Sequence, residues 1–80
     1  MSNLDKYKKA FVSSLSINET LLKDDLEYNT ITEWDSIGHM SLVSELENEF
    51  NITFETDDII DFSSFKKGKE ILKKYNIGID

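Results

Sequence analysis

The absence of cysteine from a chain of only 80 residues is the feature that most restricts its fold. A chain of this length can bury only about 60% of the surface that its unfolded state exposes, and many small domains add disulfides or thiolate metal sites for stability. Neither is available here, so side-chain packing must stabilise the fold. Hydrophobic residues make up 39% of the chain and charged residues 31%, which suffices for one modest core. We therefore predict that residues 1–80 form one domain that folds on its own.

The formal net charge of -7 is unevenly distributed along the chain. Residues 19–61 contain thirteen acids and one lysine, whereas both ends carry an excess of lysine. This distribution argues against nucleic-acid binding, which needs a basic face. It would attract basic protein partners, but in most small soluble proteins an acidic excess is explained by a solvated surface, and without a motif that interpretation is favoured. No apolar run approaches the roughly 18 residues of a membrane span, and residues 1–9 carry no targeting pattern. We expect a soluble cytoplasmic monomer that binds neither nucleic acid nor membrane.

Apolar residues spaced three and four apart predict an all-α fold of four helices. The first helix covers about residues 3–15, on the stripe formed by Leu4, Tyr7, Phe11 and Leu15. Between residues 16 and 35 this periodicity fades and polar residues accumulate, which predicts a long connection. Its apolar residues are expected to anchor it to the core: Leu21, Leu22, Leu26, Tyr28 and Ile31.

The next two helices are predicted from their capping residues. The second begins at Asp35 or Ser36, either of which can cap its first amides, and ends near Phe50. The third is short and begins with Thr56 as its cap, and it continues through Ile60. The two aspartates in its first turn suit the positive end of the helix dipole.

The fourth helix is predicted to begin after Ser63 or Ser64, either of which can cap it. Its inner stripe consists of Phe65, Gly68, Leu72 and Tyr75. Residues 52–55 alternate like a strand, but a single short run without a partner cannot form a sheet. We expect a loop there, with Ile52 and Phe54 facing the core.

The second helix has apolar residues on two sides. Successive residues of an α-helix are rotated by about 100° about its axis, and this rotation places Leu42, Val43, Leu46 and Phe50 on one stripe. We expect this stripe to face the core. Ile37 and Met40 fall on another side, together with Ser36 at the helix start and acidic residues at the rim. This second apolar side indicates a binding surface, although exposed apolar residues also occur on surfaces without such a role.

The segment from Trp34 to Phe50 resembles the modification-site helix of acyl carrier proteins. It contains Trp34-Asp35-Ser36-Ile37-Gly38-His39-Met40, followed by Leu42-Val43 and Leu46-Glu47-Asn48-Glu49-Phe50. The motif is Asp-Ser with an aliphatic residue, and then an acidic amphipathic helix. The predicted order of four helices and the acidic charge make the resemblance compatible with almost the whole chain.

The resemblance implies a four-helix bundle of acyl-carrier type that acts as a carrier and not as an enzyme. Ser36 would accept a 4′-phosphopantetheine arm from coenzyme A through a phosphopantetheinyl transferase, and the thiol of that arm would hold acyl groups as thioesters. Asp35 would be the motif partner and helix cap. The resemblance also implies a docking surface that meets basic grooves on acyl-loading and acyl-transferring enzymes. We assign to this surface Ile37, Met40, Glu45 and Glu47.

Some residues differ from the pattern of fatty-acid carriers. Ile37 stands where the family most often has leucine, and Gly38 stands where fatty-acid carriers usually have an acid. The Trp-Asp-Ser-x-Gly-His-Met form is similar to stand-alone carriers of specialised pathways, which handle hydroxyacyl, aminoacyl or polysaccharide-linked groups. Phe62 is expected to face the interior, where its bulk argues against a cavity for a long acyl chain.

Structural interpretations of the same residues compete with functional ones. His39 is expected to be a core-edge histidine with a hydrogen bond, since no second ligand or nucleophile accompanies it, and Trp34 is expected to anchor the loop. Ser36 lacks a His-Asp set, which argues against a small enzyme. No calcium-loop spacing is present, so no metal site is predicted. The remaining alternative to a carrier is an unmodified helical interaction module with the same fold.

Overall fold

Four α-helices and one short 3₁₀ helix make up the regular structure of residues 2–79, the part of the chain that the computed structural model describes. The α-helices are α1 (Asn3–Leu15), α2 (Ser36–Phe50), α3 (Thr56–Asp61) and α4 (Phe65–Lys73), and the 3₁₀ helix is Glu19–Leu21. Within residues 2–79, β pairing is limited to an isolated bridge between Glu27 and Ser64. The predicted all-α class with a long connection before α2 and a short third helix is therefore confirmed.

Side-chain caps define the starts of the three longer helices. Ser2 accepts a hydrogen bond from the amide of Asp5 at 3.1 Å, Asp35 from Gly38 at 2.8 Å, and Ser64 from Lys67 at 2.9 Å. Each bond satisfies an amide that the helix itself leaves without a partner. Asp35 as the cap of α2 and Ser64 as the cap of α4 were among the predicted alternatives, and both are confirmed.

The predicted cap of α3 is wrong. Thr56 is the first helical residue, and the capping position is occupied by Glu55, whose side chain makes no capping hydrogen bond. The amide of Glu55 donates to the hydroxyl of Tyr75 at 2.9 Å. The start of α3 is thus fixed by a residue twenty positions away, which a local capping rule cannot identify.

One hydrophobic core receives buried residues from α1, α2 and α4, and Ile59 of α3 packs against it. In α2 the predicted core residues Leu42, Val43 and Leu46 are buried, whereas Phe50 is half-buried. Tyr7 is also fully buried, and its hydroxyl donates to the carbonyl of Phe65 at 2.5 Å. Burial raises the pKa of this hydroxyl well above its ordinary value, so it remains a proton donor that links α1 to α4.

The connection before α2 is attached to the fold by both apolar and backbone contacts. Leu22 and Leu26 are buried as predicted, and Ile31 packs against the core. Leu21 is 42% exposed, so its predicted role as a core anchor is wrong. Tyr28 is 39% exposed, but its ring packs against the buried ring of Trp34, with centroids 6.3 Å apart. The backbone provides further attachment, because the amide of residue 28 donates to the carbonyl of residue 63 at 2.8 Å and that of residue 65 to the carbonyl of residue 26 at 2.9 Å.

The loop between α2 and α3 faces the core as predicted. Phe54 is buried and Ile52 is partly buried against the core cluster. Among residues 2–79, no helix has both the length and the apolar character that crossing a bilayer requires.

Asp58 in α3 forms a polar contact with the end of α4 that the sequence did not predict. Its buried carboxylate pairs with the ammonium group of Lys74 and accepts a hydrogen bond from the Tyr75 hydroxyl at 2.6 Å. These two hydrogen bonds, that of Lys74 above all, lower the pKa of the Asp58 carboxyl. The contact therefore stabilises the fold above the ordinary aspartate pKa, and this contribution is lost as the pH falls through the lowered value.

We accordingly expect Asp58→Asn to lower the melting temperature at pH 7. The difference from wild type should begin to shrink as the pH falls below about 4, because the carboxyl of the unfolded wild type then binds a proton, and it should shrink further toward the lowered pKa of the folded carboxyl. Thermal melts of both proteins between pH 7 and pH 3 measure this difference, with Asp57→Asn on the exposed side of the same helix as the control. A gap between Asp58→Asn and wild type that stays constant over this range would contradict the assignment.

Candidate functional site

Ser36 is the first residue of α2 and is exposed. The residue before it, Asp35, performs the capping, since its carboxylate accepts from the Gly38 amide at 2.8 Å and its carbonyl accepts from the His39 amide at 2.8 Å. The Ser36 hydroxyl is therefore not used as the cap. This arrangement presents a serine oxygen to solvent at the positive end of a helix of fifteen residues.

A shallow, open surface, which we call the groove, extends from Ser36 along the exposed side of α2, and all of its lining residues belong to that helix. Ile37 and Met40 are 79% and 53% exposed, respectively, and both lie in this groove beside Ser36. The rest of the lining is polar: Ser41, Ser44, Glu45 and Asn48. The structure thus brings together the serine, both apolar residues and one of the two acids that the sequence assigned to a docking surface.

Glu47 is the assigned residue that the groove does not include. It is half-buried, and its carboxylate accepts a hydrogen bond from the amide of Phe54 at 2.9 Å. Glu47 consequently holds the loop after α2 in place. Its negative charge lies on the same helix as the groove, but its side chain has a structural contact that the sequence did not predict.

Trp34 holds the loop that leads into Ser36. Its side chain is fully buried, and its ring lies against Phe11 and Phe62, with centroids 5.4 and 6.4 Å away. Its carbonyl accepts from the amide of Asn29 at 2.9 Å, which closes the loop on itself. The prediction that Trp34 is a loop anchor is confirmed.

His39 connects the loop, α2 and α3. The indole N–H of Trp34 donates to its Nδ1 at 3.0 Å, so its other nitrogen, Nε2, carries the proton and donates to the carbonyl of Ile59 at 2.8 Å. His39 is half-buried beside the rings of Tyr28 and Phe62. The predicted core-edge histidine is confirmed, and both of its ring nitrogens are engaged in structural hydrogen bonds.

Gly38 allows the loop to pack directly on the first turn of α2. A Cβ atom at this position would come closer than 3.0 Å to the backbone oxygen of Glu33, a separation that real Cβ contacts do not show. It would also press on the side chain of Leu15, 3.0 Å away. Because the nearest obstacle is backbone, any larger residue must displace the loop that precedes Ser36.

We expect Gly38→Ala to destabilise the protein by about 1–3 kcal/mol, although alanine is favoured over glycine inside helices by about 1 kcal/mol. The steric conflict with the loop outweighs the gain in helix propensity. Denaturant unfolding of this variant measures the loss, and Ser44→Ala on the exposed side of α2 is the matched control. If the Gly38→Ala protein had the same free energy of unfolding as wild type, the loop could move away from the added methyl group without loss of stability.

A second hollow, which the sequence did not predict, lies between the connection, α2 and α3. It is a surface cleft of about 270 Å³. Its walls are mostly apolar or aromatic, and they are formed by Tyr28, His39, Ile59, Ile60, Phe62 and Ser63. It shares no lining residue with the groove around Ser36. Its residues come from three separate segments, so no spacing along the chain could have indicated it.

No protein-family model matches this chain, and no match was found among the curated proteins or the solved structures. Function is therefore inferred from the residues around Ser36 and from their geometry.

Proposed function

We propose that this protein is a carrier of acyl-carrier type that holds acyl or related intermediates as thioesters on a 4′-phosphopantetheine arm attached to Ser36. The observation that carries the proposal is an exposed serine at the first position of α2, with the capping role taken by the neighbouring Asp35. The segment around this serine has the Asp-Ser-aliphatic motif of the family. The four helices and the acidic middle of the chain are compatible with the same assignment.

The chemistry of attachment suits this position. In the proposed reaction the Ser36 oxygen attacks the phosphorus of coenzyme A that bears the pantetheine. A new oxygen–phosphorus bond forms, the bond to the adenosine-bearing phosphate breaks, and the hydroxyl proton passes to a base of the transferase. The product is a phosphodiester anion at the N-terminus of α2, where the helix dipole and free amides favour negative charge. The arm also supplies the thiol that this cysteine-free chain lacks.

The groove is the proposed docking surface for partner enzymes. Ile37 and Met40 offer exposed apolar area next to Ser36, and Glu45 adds a negative charge to the same groove. Charge complementarity between an acidic helix and a basic groove on an enzyme speeds the encounter of the two proteins and favours the correct partner. Glu47 adds to the negative charge of α2 but is held by the Phe54 amide. The phosphopantetheinyl transferase and the acyl-transferring enzymes would share this surface.

The protein itself is proposed to catalyse no reaction. A serine nucleophile needs a base within hydrogen-bond reach. Both ring nitrogens of the one histidine in the chain are already hydrogen-bonded, to the indole N–H of Trp34 and to the carbonyl of Ile59, so this histidine does not serve Ser36 as a base. Delivery of a substrate between enzymes needs an accessible arm and a recognisable surface, and the geometry around Ser36 can provide both.

An unmodified interaction module remains the second candidate, because exposed Ile37 and Met40 would serve it equally well. The two candidates differ in the chemistry of Ser36. We expect the unmodified protein, incubated with coenzyme A and a phosphopantetheinyl transferase of broad specificity, to gain the mass of one phosphopantetheine. Intact-mass spectrometry measures this gain, with a known carrier as the positive control for the enzyme. A chain that stays unmodified while the control is converted would favour the interaction module.

A further inference from the structure

His39 makes hydrogen bonds to both of the residues that directly precede Ser36. Its backbone amide donates to the carbonyl of Asp35 at 2.8 Å, and its ring nitrogen Nδ1 accepts from the indole N–H of Trp34 at 3.0 Å. Trp34 is fully buried, and its carbonyl closes the loop before α2. The backbone on the N-terminal side of the exposed serine is therefore held by one residue in the first turn of α2.

The polarity of these hydrogen bonds permits only one form of the His39 ring. An indole N–H donates and does not accept, so Nδ1 must carry no proton, whereas the carbonyl of Ile59 only accepts, so Nε2 must carry one. A second proton on the ring would set the Nδ1–H donor against the indole N–H donor of Trp34. The indole N–H of a buried side chain would then lose its acceptor, which is unfavourable. The neutral ring thus holds the loop, and the protonated ring releases it.

The groups around the ring provide no substitute for this hydrogen bond. Tyr28 and Phe62 contribute aromatic rings, with centroids 5.4 and 5.9 Å from that of His39. Acidic residues occur in α3 and beside Tyr28 and Trp34 in the connection; they are Glu27, Glu33, Asp35, Asp57, Asp58 and Asp61. The carboxylates of Asp35 and Asp58 are hydrogen-bonded elsewhere, and the other four side chains are exposed. Within residues 2–79, no ion pair includes the imidazole.

We infer that His39 is a positioning residue for the attachment reaction, because its neutral ring holds the loop that presents Ser36 to the transferase, and protonation of the ring releases this loop. This inference rests on the proposed function. Both ring nitrogens are engaged, so His39 acts through the loop and not on the serine oxygen. When the loop is released, only the fraction of molecules with the loop in place can bind the transferase, and the apparent affinity falls in proportion. The KM for this protein should therefore rise while kcat stays unchanged.

The test compares two forms of the chain that compete for arm attachment in one reaction with coenzyme A and a promiscuous transferase. The pH is varied between about 8 and 5, the range in which histidine side chains change charge. His39→Asn is the reference, because its amide oxygen is attached to Cγ as Nδ1 is, can accept from the indole, and does not titrate. The two proteins differ in mass, so one spectrum quantifies both, and the pH dependence of the transferase cancels.

We expect the ratio of attachment to wild type and to His39→Asn to fall by a factor of about five toward low pH, the contribution of one net hydrogen bond. His39→Leu, which has no acceptor, should show the raised KM at every pH. If His39→Asn does not fold, Trp34→Phe replaces it as the reference, since a side chain without the N–H donor has no such bond to lose. In NMR spectra of the unmodified wild type, the Trp34 indole resonance should shift with the same midpoint as the His39 ring.

Two results would overturn the inference while leaving the carrier intact. One is a ratio that stays constant with pH although both proteins are folded and gain the arm. The other is an indole resonance that does not move while attachment to wild type slows, since the slowing then has another cause. A wild type that accepts no arm at any pH would instead overturn the proposed function, and this inference with it. The intact mass separates that failure from the other two, because both of those require a modified protein.

Discussion

Replacing Ser36 by alanine is expected to abolish phosphopantetheine attachment completely, because the replacement removes the only atom of this residue that can bond to phosphorus. The folded structure should not change. Asp35 provides the cap of α2 through the Gly38 amide, and the Ser36 side chain is exposed, so alanine leaves no buried group without a partner. The intact mass after incubation with a transferase and coenzyme A should therefore equal that of the unmodified variant, and its melting curve should match that of wild type.

Two matched controls keep this result specific. Ser41→Ala and Ser44→Ala change exposed serines that line the same groove, and both proteins should gain the arm as wild type does. Attachment to Ser36→Ala would show that another hydroxyl is the acceptor. Loss of attachment in Ser41→Ala or Ser44→Ala, with folding intact, would show that the transferase depends on the groove more than on the assigned serine.

Leu46→Ala is expected to lower the free energy of unfolding by about 2–5 kcal/mol. Leu46 is fully buried in the core stripe of α2, so truncation removes buried carbon atoms and leaves a cavity that the neighbouring side chains can fill only in part. Natural domains have a total stability of about 5–15 kcal/mol, so this loss is a large share of it. Urea unfolding monitored by circular dichroism measures the difference.

Met40→Ala is the matched control for Leu46→Ala on the opposite side of the same helix. Met40 is 53% exposed, so its truncation should change the free energy of unfolding by no more than about 0.5 kcal/mol. If Met40 belongs to the docking surface, the variant should instead slow arm attachment, which a time course of intact mass reports. Equal destabilisation by Met40→Ala and Leu46→Ala would mean that α2 has one apolar face and that the groove was misassigned.

The features that sequence alone could predict are those set by neighbouring residues. The boundaries of α1 and α2 follow from apolar spacing and from capping by a residue next to the first turn, as at Asp35. The two sides of α2 follow from the same periodicity, and the exposure of Ile37 and Met40 agrees with it. Such rules need no knowledge of which segments meet in space.

The features that were missed depend on contacts between distant segments. Asp58 pairs with residues 16 and 17 positions away, and His39 donates to a carbonyl 20 positions away. The prediction that Thr56 caps α3 was wrong, because Glu55 occupies the capping position and its amide is held by the Tyr75 hydroxyl. For the same reason the sequence assigned Glu47 to docking alone, although its carboxylate also binds the Phe54 amide.

Whether Ser36 carries the arm in the cell is measured by the mass of this protein purified from the organism that makes it. We expect the chain to carry one phosphopantetheine, with or without an acyl group, and fragment spectra to place it on Ser36. Chemical release of the thioester should reduce any acylated form to the mass of the chain with the arm alone. A protein that has the mass of its sequence and no modification at Ser36, from cells whose other carriers bear the arm, would show that this chain is not a phosphopantetheine carrier.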